Sequence, residues 1–166
     1  MSDKKTFNLK NSYAKELHEI SEKCIPTGFR QAEFLLKNYD LAEKLGFTKN
    51  FLDSKECLKI FSGNSLLKNS QPIAQGYSGH QFGHFNPQLG DGRAILLGEI
   101  DEMDIQLKGI GQTPYSRRGD GKSALSPILR EYVISEFMHA VKIPTTRSLF
   151  APVSYTHLRA HETAYY

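Results

Sequence analysis

The sequence predicts an α+β fold: a helical segment over residues 1–70, then a region built from an antiparallel hairpin, a helix and a further strand. Two observations carry this. Apolar residues recur at helical spacing in the first 70 residues, whereas ten of the chain's 13 glycines fall within residues 75–121, interleaved with two strand-like runs. A length of 166 residues suits one domain of ordinary size or one lobe of a larger one. On this reading residues 1–70 form a helical N-terminal extension, 71–152 the functional region, and 153–166 a separate tail.

Residues 31–45 place Leu35, Leu36, Tyr39, Ala42 and Leu45 at helical spacing, with Gly46 as the stop. A second helix is expected from Asp53, with Glu56 three residues on as a capping box and Leu52 and Cys57 as its staple. Leu58 and Phe61 then face inward, and Ser62-Gly63-Asn64 ends the element. Residues 93–100 read as a strand, and so do 103–109, with Ile105 and Leu107 on one face and Gln106 and Lys108 on the other. The link Asp101-Glu102 makes the two an antiparallel hairpin. Ser126 as N-cap and Pro127 as first residue open a helix running to about Val141. Residues 143–150 read as the next strand.

Composition excludes much. Lys+Arg 21 against Asp+Glu 18 leaves a formal charge of +3, with no run of like charges of the kind that binds nucleic acid. No apolar stretch approaches a membrane span, and the N-terminal residues do not read as a secretory signal. Cys24 and Cys57 stand alone, in neither a C-x-x-C nor a metal pattern, which points to a reduced, cytoplasmic protein.

Three groups of residues could carry chemistry. Gly90-Asp91-Gly92-Arg93 precedes the first hairpin strand; its glycines let backbone N–H groups approach phosphate oxygens, and its arginine offers a bidentate charge. A plain hairpin turn is the alternative. Residues 116–123 nearly spell a P-loop ending Gly121-Lys122-Ser123, but Ser116 occupies the first glycine position and no buried strand precedes it. A basic, glycine-rich anion loop remains. Lys108 is the third, a strand lysine that a helical glutamate could orient, as in protein kinases. On a helical wheel Glu131 joins Ser135, His139 and Lys142 on the polar face, while Glu136 lies with Tyr132, Val133 and Ala140 and would need a partner. That slightly favours Glu136. His80 with His84, and His157 with His161 and Glu162, have ligand-like spacing, yet metal binding is not expected of either.

The motifs then fall into a single order. Tyr77-Ser-Gly-His-Gln-Phe-Gly-His, Gln88-Leu-Gly-Asp-Gly-Arg-Ala94, Leu107-Lys-Gly-Ile-Gly, Thr113-Pro-Tyr-Ser-Arg117, Gly119-Asp-Gly121 and Ile143-Pro-Thr-Thr-Arg147 together closely resemble the selenoprotein O family. Asn11-Ser-Tyr-Ala14 and Phe61-Ser-Gly-Asn64 fit the same family, so the resemblance covers roughly residues 7–150. It implies a protein-kinase-like N-terminal lobe and transfer of AMP from ATP to Ser, Thr or Tyr hydroxyls of other proteins, with ATP inverted relative to ordinary kinases. Carried over by position, Gly90, Gly92, Arg93, Lys108, Asp120 and Gly121 contact ATP. Glu131 becomes the partner of Lys108, against the wheel.

The same resemblance places the family's catalytic base and its Mg2+ or Mn2+ ligands C-terminal of residue 150, so neither is assigned to this chain. A chain of this length is expected to be inactive alone. Residues 153–163 resemble a translated sequencing adapter, which makes 153–166 an expected foreign tail on an N-terminal fragment. Thr156-His-Leu-Arg159 imitates an arginine motif of the family but arrives too early, and Arg159 is not carried over. A bacterial, cytoplasmic protein acting on ATP and protein substrates, without nucleic acid or membrane, is the expectation. A phosphoryl-transferring kinase and a catalytically dead nucleotide-binding module are the alternatives.

Overall fold

A computed structural model describes residues 9–154 and has the α+β character expected, with every sheet antiparallel. The chain divides into two compact units, one of residues 9–28 and 66–122, the other of 29–65 and 123–154.

The first unit is a four-stranded sheet. Strand β1 (Ser21–Lys23) pairs with β3 (Ile73–Gln75), β3 with β6 (Ala94–Ile100), and β6 with β7 (Met103–Lys108). All seven residues of β6 are buried, as suits a central strand, and Ile95 and Leu97 are fully enclosed. On β7 Ile105 and Leu107 are buried while Gln106 and Lys108 are exposed, the alternation read from the sequence. Asp101 and Glu102 both take positive φ, as a two-residue type I′ hairpin turn requires. A small hairpin of β4 (Gly79–Gln81) and β5 (His84–Asn86) carries His80 and His84 on facing, exposed strands. The short helix α1 (Ser12–Glu16) is capped from β6: the Glu99 carboxylate accepts from the Ser12 amide at 3.2 Å and its hydroxyl at 2.7 Å.

The second unit corrects several expectations. Residues 31–45 are not one helix. Ala32–Lys37 is a strand, β2, and only Tyr39–Lys44 is helical, as α2. One tertiary partner and one local cap decide this. Phe34 stacks on Phe150 at 4.8 Å, and Asn38 breaks the run, its Oδ1 accepting from the Leu41 amide at 3.1 Å. Leu41, Ala42 and Leu45 are buried, whereas Leu35 is exposed. The next helices are α3 (Lys49–Leu52) and α4 (Lys55–Phe61). The N-cap of α4 is Ser54, one residue later than expected, because Asp53 still ends α3 as its C-cap, its carboxylate paired with Lys37 at 2.7 Å. Leu52, Cys57, Ile60 and Phe61 are buried, and the Cys57 thiol is pushed up to about 12 by its burial. Among the described residues, the helical extension expected over residues 1–70 is therefore a mixture of short helices and two strands.

Helix α5 (Leu125–Ala140) starts at Leu125 with Ala124 as N-cap, so Ser126 does not cap it. Pro127 sits third in the helix, where its missing N–H would have no intrahelical acceptor anyway. The wheel fails on burial: Ser135 is the buried residue of α5, while Val133, Ile134 and Phe137 are each more than half exposed. The strand expected at 143–150 is Phe150–Ser154, β8, which pairs with β2. Residues before it are used otherwise: the Ser148 and Leu149 carbonyls accept from the Asn38 side chain and amide. Val153 and Ser154, expected to open the tail, are buried members of β8 opposite Glu33 and Ala32. Residues 155–166, the rest of that tail with His157, Arg159, His161 and Glu162, lie outside the described residues.

Glu136 receives the partner its position demands. Arg147 donates to both carboxylate oxygens at 2.6 Å, and these bonds hold the carboxyl below the usual glutamate range. The pair is part-exposed, so Glu136→Gln should cost about 1–2 kcal/mol at neutral pH. Because the folded-state pKa is depressed, that difference from wild type is present above the ordinary value of 4.5 and disappears as pH falls through the lowered one. Denaturant melts of both proteins across that range check it.

Candidate functional site

A cleft of about 680 Å³ opens within the first unit. It collects six of the residues marked in the sequence: Gly90, Gly92, Arg93, Lys108, Asp120 and Gly121 all line it. Register explains the lysine. Lys108 stands opposite Ala94, so the end of β7 lies beside the loop that leads into β6. Arg93 anchors the same corner through its carbonyl, which accepts from the Gly109 amide at 2.6 Å.

The Gly90–Gly92 loop is held from both sides. Asp91 is buried; its carboxylate accepts from the Gln75 amide at 3.1 Å, and its own amide donates to the Gln75 carbonyl at 2.9 Å. Burial raises the Asp91 carboxyl above the usual aspartate range, against the bonds from Gln75 and the Tyr77 hydroxyl that favour its charged form. Burial and then the Asp91 charge push the Tyr77 hydroxyl up in turn. From the other side, the Thr113 and Ser116 hydroxyls donate to the Asp91 and Gly92 carbonyls, each at 2.5 Å.

Asp120 and Gly121 sit on the opposite loop. The Asp120 carboxylate accepts from the Lys122 amide at 2.9 Å, closing an Asx-type turn. Gly121 follows at φ 69°, and a Cβ there would fall on the Gly111 carbonyl, so only glycine fits. Four cationic side chains line the cleft, Arg93, Lys108, Arg117 and Lys122, against two carboxylates, Asp91 and Asp120. That balance suits a polyanion, and the volume suits a ligand of nucleotide size. Arg117 also donates to Gln81 on the small hairpin at 2.6 Å. Glu131 belongs to α5 of the other unit and is exposed there.

Sequence reasoning missed Gln106, Tyr77 and Tyr115 as cleft residues. Gln106 was detectable, since period-two alternation sets it on the Lys108 side of β7; the two tyrosines are placed by loop closure, which leaves no periodic signal. Among the described residues no group of three or more His, Cys, Asp or Glu is arranged to hold a metal ion, and no helix is long and apolar enough to cross a membrane.

Comparison with known proteins gives this cleft its context. Residues 4–162 match the family described as protein adenylyltransferase SelO. The chain belongs to that family. It is 51% identical over 148 residues to the protein nucleotidyltransferase YdiU of Anoxybacillus flavithermus, covering 86% of this chain and 31% of the relative. The proteins of the same name from Bacillus cereus and Clostridium botulinum are 53% and 50% identical, with 86% of this chain and 30% of each relative covered. This SelO-family chain therefore spans about 30% of the length of the curated relatives it matches. The family match also runs through most of the expected foreign tail.

Gly90 is a second tightly constrained position of the cleft. At φ 146° it lies under the Tyr115 ring, and an added Cβ would come within 2.6 and 2.8 Å of ring carbons. Gly90→Ala should therefore lower stability by about 2 kcal/mol, through backbone strain and displacement of Tyr115. Thermal or urea melts of the two proteins measure the difference.

Proposed function

We propose that this chain is the nucleotide-binding portion of an ATP-dependent protein adenylyltransferase, with the topology of a protein-kinase N-terminal lobe. The single observation carrying the reading is that Gly90, Gly92, Arg93, Lys108, Asp120 and Gly121, drawn from three separate stretches of sequence, line one cleft. In the reaction, a Ser, Thr or Tyr hydroxyl oxygen of a target protein forms a bond to the α-phosphorus of ATP, and the bond to pyrophosphate breaks. The departing pyrophosphate takes up negative charge, and Lys108 and Arg93 are placed to stabilise it. By its position in the family resemblance, Glu131 is the residue that orients Lys108. The base that accepts the hydroxyl proton, and the ligands of Mg2+ or Mn2+, belong to the longer protein of this family. ATP and protein substrates are the partners, in a bacterial cytoplasm.

The 166-residue chain should bind ATP without transferring AMP. Calorimetry should detect binding, and Lys108→Ala should weaken it at least about tenfold, by removal of a charge-assisted contact. A wild-type affinity unchanged by Lys108→Ala would reject the phosphate role of the lysine. With a protein of the relatives' full length, mass spectrometry should find adenylyl groups on target hydroxyls. Phosphoryl groups instead would make it a kinase.

A further inference from the structure

The segment Thr113–Ser116 holds none of the six residues proposed to contact ATP, yet its hydroxyls make the shortest hydrogen bonds to the glycine loop. The Thr113 hydroxyl donates to the Asp91 carbonyl and the Ser116 hydroxyl to the Gly92 carbonyl, both at 2.5 Å. Thr113 is buried, and its hydroxyl also accepts from the Tyr115 amide at 3.1 Å. The Ser116 hydroxyl accepts from the Thr113 amide at 2.7 Å. Between them Tyr115 lays its ring over Gly90 and packs on the buried cluster of Cys24, Ala74 and Ile95. The loop is thus tied to the core of the sheet by three consecutive kinds of contact: a hydroxyl, a ring and a second hydroxyl.

We infer that Thr113, Tyr115 and Ser116 are the positioning residues of the nucleotide site, a brace that holds the Asp91 and Gly92 carbonyls on protein hydroxyls and the Asp91 carbonyl away from the ligand. This rests on the cleft being a nucleotide site. The physical reason lies in the planarity of the peptide unit. The Asp91 carbonyl and the Gly92 N–H belong to one trans peptide group and point in opposite directions. Drawing that carbonyl toward Thr113 turns the Gly92 N–H the other way. A loop carbonyl facing a polyphosphate repels it, and an N–H attracts it, so a flip of this one peptide converts an anion cradle into its opposite. Glycines permit the approach of phosphate but also permit that flip. The brace removes the freedom.

Thr113→Val keeps the side-chain shape and deletes the hydroxyl; Thr113→Ser keeps the hydroxyl. In the 166-residue chain, calorimetry with ATP and with inorganic tripolyphosphate should show about tenfold weaker binding of both by Thr113→Val, the size of one lost well-aimed contact. Thr113→Ser should restore wild-type affinity within about twofold. In 15N-labelled protein, the Gly92 amide resonance should shift on addition of tripolyphosphate in wild type and Thr113→Ser, and stay in place in Thr113→Val. Ser116→Ala is a second variant that leaves the buried Thr113 intact, and it should weaken tripolyphosphate binding as well. Wild-type affinity and a wild-type Gly92 shift in both Thr113→Val and Ser116→Ala, while Lys108→Ala still loses ATP, would overturn the brace and leave the nucleotide site standing. Absence of ATP and tripolyphosphate binding by the wild-type chain would overturn both.

Discussion

The register of β6 against β7 is the constraint on which the cleft depends. It is set where two consecutive residues with side chains, Asp101 and Glu102, adopt φ of 47° and 66° and close a two-residue turn. From that turn the pairing runs Ile100 with Met103 to Ala94 with Lys108, with one irregularity between Leu96 and Gly98. A slip of one residue would exchange the faces of β7, sending Lys108 into the core and Leu107 into the cleft. Burial of Ile105 and Leu107 opposes that slip. The cation of the site is thus held in place by apolar contacts on the reverse side of its strand.

An aspartate in a cleft lined by four cationic side chains calls for a physical account. Asp91 is buried and turned toward Gln75, so its charge serves the loop's attachment to β3. Desolvation of the carboxylate is unfavourable, as its raised pKa shows, and hydrogen bonds from the Gln75 amide and the Tyr77 hydroxyl offset part of that cost. Its amide and carbonyl are engaged as well, by Gln75 and Thr113. All three polar groups of one loop residue are committed to the protein, which leaves the flanking glycines and Arg93 to face the cleft.

The second unit shows why helical periodicity misled in the first 70 residues. A short apolar run such as 34–36 fits either a strand or a helix, and local spacing cannot separate them. The decision comes from β8, more than a hundred residues later, whose Phe150 stacks on Phe34 and meets the Phe61 ring at a tilt. Asp53 and Ser54 present the same contest at smaller scale. Either can cap a helix, and the end of α3 at Asp53 leaves the cap of α4 to Ser54.

What the sequence determined by itself was the central hairpin, its turn, the facing of Gln106 and Lys108, and the glycine-rich stretches that line the cleft. Each rests on interactions between residues close in the chain, or on a backbone conformation that few residue types allow. Tertiary structure alone decided the strand at Ala32–Lys37, the late start of β8 and the capture of Glu136 by Arg147. It also decided the bracing of the glycine loop by Thr113, Tyr115 and Ser116. These depend on partners distant in the chain, and a partner's arrival leaves no period or spacing to read. The cations and glycines that line the cleft were legible because their chemistry is local, whereas the residues that hold them still became visible only when the chain closed on itself.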